Sequence, residues 1–104
     1  MDVICIDDIF STDCLKFYSL HGVVTPVKDT MYTIRGIDSV RGTTGLYLEE
    51  IVNPKVPIQS PAFAMTGSIL NREPSFHIKR FSTLSGEKIN EEELKQILED
   101  VTKN

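Results

Sequence analysis

The chain has 104 residues, of which 40% are hydrophobic and 25% charged, and a formal net charge of −4. That length predicts one soluble domain, 1–104, with a single modest core. The acidic balance disfavours a dedicated phosphate-binding protein, because nonspecific nucleic-acid affinity comes from Lys and Arg displacing counterions.

The first run, "VICI" at 3–6, is β-branched and stops at Asp7-Asp8, as a strand ending in a turn does. In "FSTDCLKFYSLHG", Ser11 suits a helix N-cap, Asp13 the first turn and Gly22 the stop. The expectation is a short helix over about 12–20, with Phe10 and Leu15 as a hydrophobic staple and Cys14, Phe17 and Tyr18 as its buried stripe. "MYTIRGIDSV" at 31–40 alternates until Gly36, which breaks the phase as a β-bulge would and returns Ile37 to the core. "RGTTG" is then a turn and "GLYLEEIV" the return strand of a hairpin.

Residues 53–74 contain four prolines, which argue against regular strand pairing. The segment also carries Ala62, Phe63, Ala64, Met65, Ile69 and Leu70, too apolar for simple disorder, so part of it is expected to pack. "FHIKRFSTL" at 76–84 is the most basic short run. Alternation puts Phe76 and Ile78 inside and His77 and Lys79 outside, and a bulge at Lys79-Arg80 would bring Phe81 back to the core. "INEEELKQILEDVTKN" predicts an amphipathic helix over about 90–102. Asn90 is its cap, Glu91–Lys95 and Glu99–Lys103 are favourably ordered pairs, and Leu94, Ile97, Leu98 and Val101 make its apolar stripe.

The four strand runs form a pattern: "VICIDD", "MYTIRGI", "GLYLEEI" and "FHIKRFSTL". It resembles a group of small bacterial and phage-type proteins with an opening Val-Cys-Ile-Asp-Asp, a Tyr-Thr-Ile strand, a Gly-Leu-x-Leu-Glu-Glu-Ile strand and a closing Phe-x-x-x-Arg-Phe. The matches fall on Val3 to Asp8 with Ile4 intervening, Tyr32 to Ile34, Gly45 to Ile51, and Phe76, Arg80 and Phe81. The resemblance implies a mostly β fold, a small SH3-like barrel of four or five strands over 1–84. The helix at 12–20 and the loop at 53–74 would elaborate it, and the C-terminal helix would follow. It implies no catalytic residue.

Charge is uneven. Residues 1–52 hold eight acids and four bases, 53–84 one acid and four bases, and 85–104 six acids and three bases. Arg35, Arg41, Lys55, Arg72, His77, Lys79 and Arg80 would serve a single-stranded nucleic-acid surface, but with Phe76 and Phe81 in the core only Tyr47 remains for base stacking. Asp7, Asp8, Glu49 and Glu50 offer oxygens for a hard cation. The competing expectations are that Asp7-Asp8 caps a turn, and that Glu50, sharing a face with Leu46 and Leu48, turns inward, pairs with Arg80 or Arg35, or stays solvated. Cys14 and His21 lie seven apart on one helix and, with Cys5, suggest a thiol site, yet buried core cysteine explains them as well.

Cys5 and Cys14 fit neither a disulfide framework nor a zinc motif, and the N-terminus lacks the basic region of a signal peptide, so a cytoplasmic location is expected. No apolar run approaches the ~18–20 residues that span a bilayer. "RGTTG" lacks the spacing of a P-loop. These readings lead to a non-enzymatic module without cofactor or metal, whose partner is another protein rather than a membrane. A homodimer through the C-terminal helix is the alternative use of that stripe. The expected binding residues are Phe63, Met65, Ile69 and Leu70, with His77 and Lys79.

Overall fold

The computed structural model of the chain describes residues 1–40, 42–58 and 70–102, without the side chains of 40, 58, 70 and 99–102. Among the described residues it is mostly β, with seven strands in antiparallel ladders and two α-helices. The chain divides into two compact units. One comprises Met1–Ile9, Thr25–Ile51 and Ser75–Asn104, and the other Phe10–Val24 and Val52–Pro74.

The first unit is built on β1 (Asp2–Cys5), β2 (Met31–Val40), β3 (Thr43–Leu48), β6 (Phe76–His77) and β7 (Phe81–Ser82), in the spatial order β6-β3-β2-β1-β7. Side chains alternate across a strand, and β1 shows it: Val3 and Cys5 are fully buried while Asp2 is exposed. The β2–β3 hairpin forms where its alternation and turn residues predict. Its register steps from Ile34↔Leu48 to Gly36↔Tyr47, which leaves Arg35 as the extra residue of a bulge. Ile37 is half-buried rather than fully in the core.

The two outer strands of this sheet are consecutive in the chain. A flat sheet would hold strands four places apart at about 19 Å. β6 and β7 are separated by a single 3-10 turn, Ile78–Arg80, and such a turn rises only about 2 Å per residue. The sheet must therefore curl until its edges approach. No ladder joins β6 to β7, so the curl stops short of the closed barrel expected. The core inside the curl is Val3, Cys5, Ile34, Leu46, Leu48 and Phe76 with Tyr32 edge-on to Phe81 at 6.5 Å. Each fully buried side chain of this size contributes about 1.5–3 kcal/mol.

The 3-10 turn replaces the bulge anticipated at Lys79-Arg80. The phase break was real and Phe81 is 3% exposed, but the chain resets by turning from one sheet edge to the other. The C-terminal helix α2 (Glu91–Thr102) follows, with Asn90 Oδ1 accepting from Glu93 N at 3.0 Å. It lies against β2. Leu94 is fully buried, Leu98 is half-buried and Ile97 is 37% exposed, so the apolar stripe is committed inward at its N-terminal end.

The second unit contains α1 (Thr12–His21) and a two-stranded ladder of β4 (Val56–Ile58) with β5 (Leu70–Arg72). Ser11 caps α1 by accepting from Cys14 N at 3.1 Å, and Gly22 ends it at φ 70°. Cys14, Phe17 and Tyr18 are half-buried, not buried. Leu15 is 47% exposed, and Phe10 instead meets the Tyr18 ring edge-on at 5.9 Å, one turn beyond the staple position expected. Asn53 is the unit's buried polar anchor. Its side chain accepts from Val24 N at 2.8 Å and donates to Val24 O at 2.9 Å, the reciprocal pair that a strand neighbour would make. The ladder forms despite Pro57, because in a two-stranded ladder each strand is an edge where a missing N–H costs no bond.

Candidate functional site: an apolar cleft and a polar notch beside the 76–82 segment

Segment 75–82 contributes side chains to two concavities. Ile78 and Phe81 line a cleft of about 340 Å³ with Ile6, Ser82, Gly86 and Ile89, and with the charged Lys79, Glu87, Lys88 and Glu91. Ile78, Phe81 and Ile89 are at most 7% exposed, whereas Ile6 is 47% exposed and forms the open wall. Another part of the lining comes from a short return of the chain. Thr83 N donates to Glu87 O and Gly86 N to Thr83 O, both at 2.9 Å, and Ser82 bridges to Lys88. Gly86 has φ 89°, the left-handed region in which glycine carries no Cβ penalty. A shallower hollow along Lys88–Glu92 shares Lys88, Ile89 and Glu91 with the cleft.

A second, polar notch of about 190 Å³ is lined by Asp38, Thr43, Thr44, Gly45, Ser75 and His77. Asp38 pairs with Gly45, and Gly45 with His77, so the three form one row across β2, β3 and β6. Residues directly opposite share a face, and the glycine leaves the middle of the row without a side chain. Ser75 occupies that gap: its Cβ lies 2.7 Å from where a Cβ on Gly45 would stand. Its hydroxyl reaches Asp38 Oδ2 at 3.3 Å. His77 Nδ1 accepts from Lys79 N at 3.1 Å, which leaves Nε2 as the protonated nitrogen of the neutral ring. Thr44, 5% exposed, donates to Glu91 Oε2 at 3.1 Å. That bond joins a residue that lines the notch to one that lines the cleft.

The residues expected to bind divide accordingly. Lys79 stands on the rim of the cleft and His77 in the notch. Phe63, Met65 and Ile69 lie outside the described residues, and Leu70 is described only as a backbone position of β5 paired with Ile58. Most of the cleft was missed by sequence reasoning, although one signal was present. Ile89 precedes the Asn90 cap and Leu94 sits at the fourth helical position, the two places of a hydrophobic staple, and both are buried. The notch has no such signature, because its row exists only once the strands pair.

The other constellations have structural uses. Arg80 Nη1 donates to Ile9 O at 2.9 Å and lies 3.4 Å from Asp7 Oδ1, tying the turn after β1 to the 3-10 turn. Asp7 also accepts from Ile9 N, and Asp8 from Lys28 N at 3.1 Å. Glu50 neither points inward nor pairs with an arginine. β3 ends at Leu48, so alternation no longer governs Glu50, and its exposed carboxylate accepts from Thr33 N at 2.8 Å and Thr33 Oγ1 at 2.9 Å. The Thr33 backbone bond holds the Glu50 carboxyl below the ordinary glutamate range. Among the described residues, no grouping of three His, Cys, Asp or Glu is placed to hold a metal ion. Burial pushes the Cys5 thiol up, the wrong direction for a thiolate nucleophile. His21 packs on the Phe17 ring at 4.5 Å. No described helix is long and apolar enough to cross a membrane.

Comparison with protein-family models, curated proteins and solved structures finds no match.

Proposed function

We propose that this chain is a small, mostly β, non-enzymatic binding module, and that its working surface is the cleft of Ile6, Ile78, Phe81 and Ile89, where it takes an apolar side chain of a protein partner. The observation that carries this reading is a concave apolar floor with one open wall, Ile6, ringed by charges of both signs. Apolar floors with polar rims are the ordinary anatomy of protein-recognition sites. Of the residues expected to bind, Lys79 lines this cleft.

Three observations weigh against the nucleic-acid alternative. Phe76 and Phe81 are each 3% exposed, and the Arg35 guanidinium already lies over the Tyr47 ring at 5.2 Å. Base stacking needs exposed rings and a basic groove. Arg80 is turned onto Asp7 and Ile9.

A random peptide display library selected on the full chain, then re-tested on Ile6→Asp, examines the reading directly. Ile6 is half exposed, so the substitution leaves the core intact. Enrichment of peptides with an apolar anchor that lose binding on Ile6→Asp is the expected result. Failure to enrich any such peptide, together with salt-sensitive binding of a short oligo(dT) by fluorescence anisotropy, would overturn it in favour of the basic strand.

A further inference from the structure

Among the described residues, the most exposed large hydrophobic side chain is Ile9, at 80%. It sits on a turn fixed from two directions. Asp7 Oδ1 accepts from Ile9 N at 2.9 Å, and Ile9 O accepts from Arg80 Nη1 at 2.9 Å. Little backbone freedom therefore remains to be lost when this side chain is covered. Two links tie the turn to the cleft. Ile6, three residues earlier, lines it, and Arg80 directly follows Ile78 and Lys79, which line it as well. The charges of turn and cleft are complementary. The turn carries the exposed Asp7 and Asp8, and the cleft the exposed Lys79 and Lys88. Of the two carboxylates lining the cleft, Glu91 already accepts from Thr44. Lys28, whose N donates to Asp8 Oδ2, gives the turn a cation to answer Glu87.

Resting on the cleft as the binding surface, we infer that the partner is a second copy of this chain, and that two copies exchange Ile9 about a two-fold axis. Each Ile9 enters the other copy's cleft, against Ile6, Ile78, Phe81 and Ile89. Asp8 of one copy meets the lysines that line the cleft of the other. A two-fold interface is self-complementary, so an anchor and a pocket on neighbouring parts of one surface are both used at a single axis. The apolar surface withdrawn from water is that of Ile6, 47% exposed, and Ile9.

The test is sedimentation equilibrium of the full chain over a wide concentration range, repeated on Ile6→Asp, Ile9→Asp and Leu20→Asp. Ile6 and Ile9 are exposed, so both substitutions leave the core intact, and Leu20 on α1 is as exposed as Ile9 and serves as the control. The expected result is a reversible dimer. Its dissociation constant should rise about tenfold or more in Ile6→Asp and in Ile9→Asp, the scale of one isoleucine side chain left in water. Leu20→Asp should leave it unchanged. A monomer at every concentration would overturn the inference, as would a dimer that either Ile6→Asp or Ile9→Asp leaves intact, or that Leu20→Asp weakens equally. In those cases the cleft reading still stands if display-selected peptides bind the unaltered chain and fail on Ile6→Asp. Peptides that bind Ile6→Asp undiminished, alongside a dimer that this substitution does not weaken, would overturn both.

Discussion

The β2 bulge and the turn at 78–80 are two solutions to one problem. In each, an alternating run loses its phase at an arginine, and in each that arginine donates to a main-chain carbonyl of a neighbouring segment. Arg35 Nε reaches Leu48 O at 2.8 Å, and Arg80 Nη1 reaches Ile9 O at 2.9 Å. The outcomes differ. At Arg35 the chain stays in its strand with the ladder stepped by one residue, because Gly36 accepts the extra twist beside Tyr47. At Arg80 the chain leaves one sheet edge and joins the other, and residues next to this turn line the cleft and the notch. A phase break thus marks where a ladder is interrupted without saying whether the strand continues.

The largest expected effect follows from the turn. Phe81 is the residue that the turn returns to the core, 3% exposed and edge-on to Tyr32. Phe81→Ala should cost about 3–5 kcal/mol by urea unfolding. A loss of a few tenths would mean that the segment runs through as a strand with Phe81 facing solvent, making the two phase breaks alike. The basic run would then regain an exposed ring for base stacking.

Elements whose signals are local were legible in the sequence. Ser11, Gly22 and Asn90 act at the helix ends they predicted, and the 31–48 hairpin formed where its alternation and turn indicated. What was not legible depends on partners distant in the chain. Glu50 bonds to Thr33, and Asn53 clamps Val24, because pairing elsewhere brings those groups together. The notch needs three strands aligned before Asp38, Gly45 and His77 become a row. Pro57 misled for a different reason: proline forbids a central strand but tolerates an edge, and composition does not distinguish them.

Two glycines on the paired strands β2 and β3 sharpen the comparison at intermediate magnitude. A Cβ on Gly45 would meet Ser75 Cβ at 2.7 Å, a distance that only backbone movement relieves. Gly45→Ala should therefore destabilise by about 1–3 kcal/mol, the usual cost of overpacking. At Gly36 the nearest atom is Tyr47 Cδ2 at 3.6 Å and the backbone has no positive φ. Gly36→Ala should be neutral or stabilising by about 0.4–1 kcal/mol, through lower entropy of the unfolded chain. Thermal unfolding of both variants checks the pair. If Gly36→Ala cost as much as Gly45→Ala, the bulge would be a strained feature and not merely an accommodated one.

The smallest effect lies at the mouth of the bulge, where Thr33 N donates to the exposed Glu50 carboxylate while Glu49 N donates to Thr33 O at 2.8 Å. Glu50 thus finishes the ladder with a side chain after β3 has ended. Its folded carboxyl titrates below the ordinary glutamate range because the Thr33 bond favours the charged form. As pH falls, the unfolded chain takes up this proton first, so the contribution is whole above about pH 4.3 and disappears as pH drops below it. Glu50→Gln retains an acceptor but cannot titrate. Urea midpoints measured across this range should fall less steeply with acidification in Glu50→Gln than in the unaltered chain. The two should differ most above that pH, by a modest amount because solvent screens an exposed carboxylate. Parallel curves would mean that the Thr33 amide is satisfied by water in solution, and that the bulge, unlike the Arg80 turn, needs no side chain beyond Arg35 to hold its place.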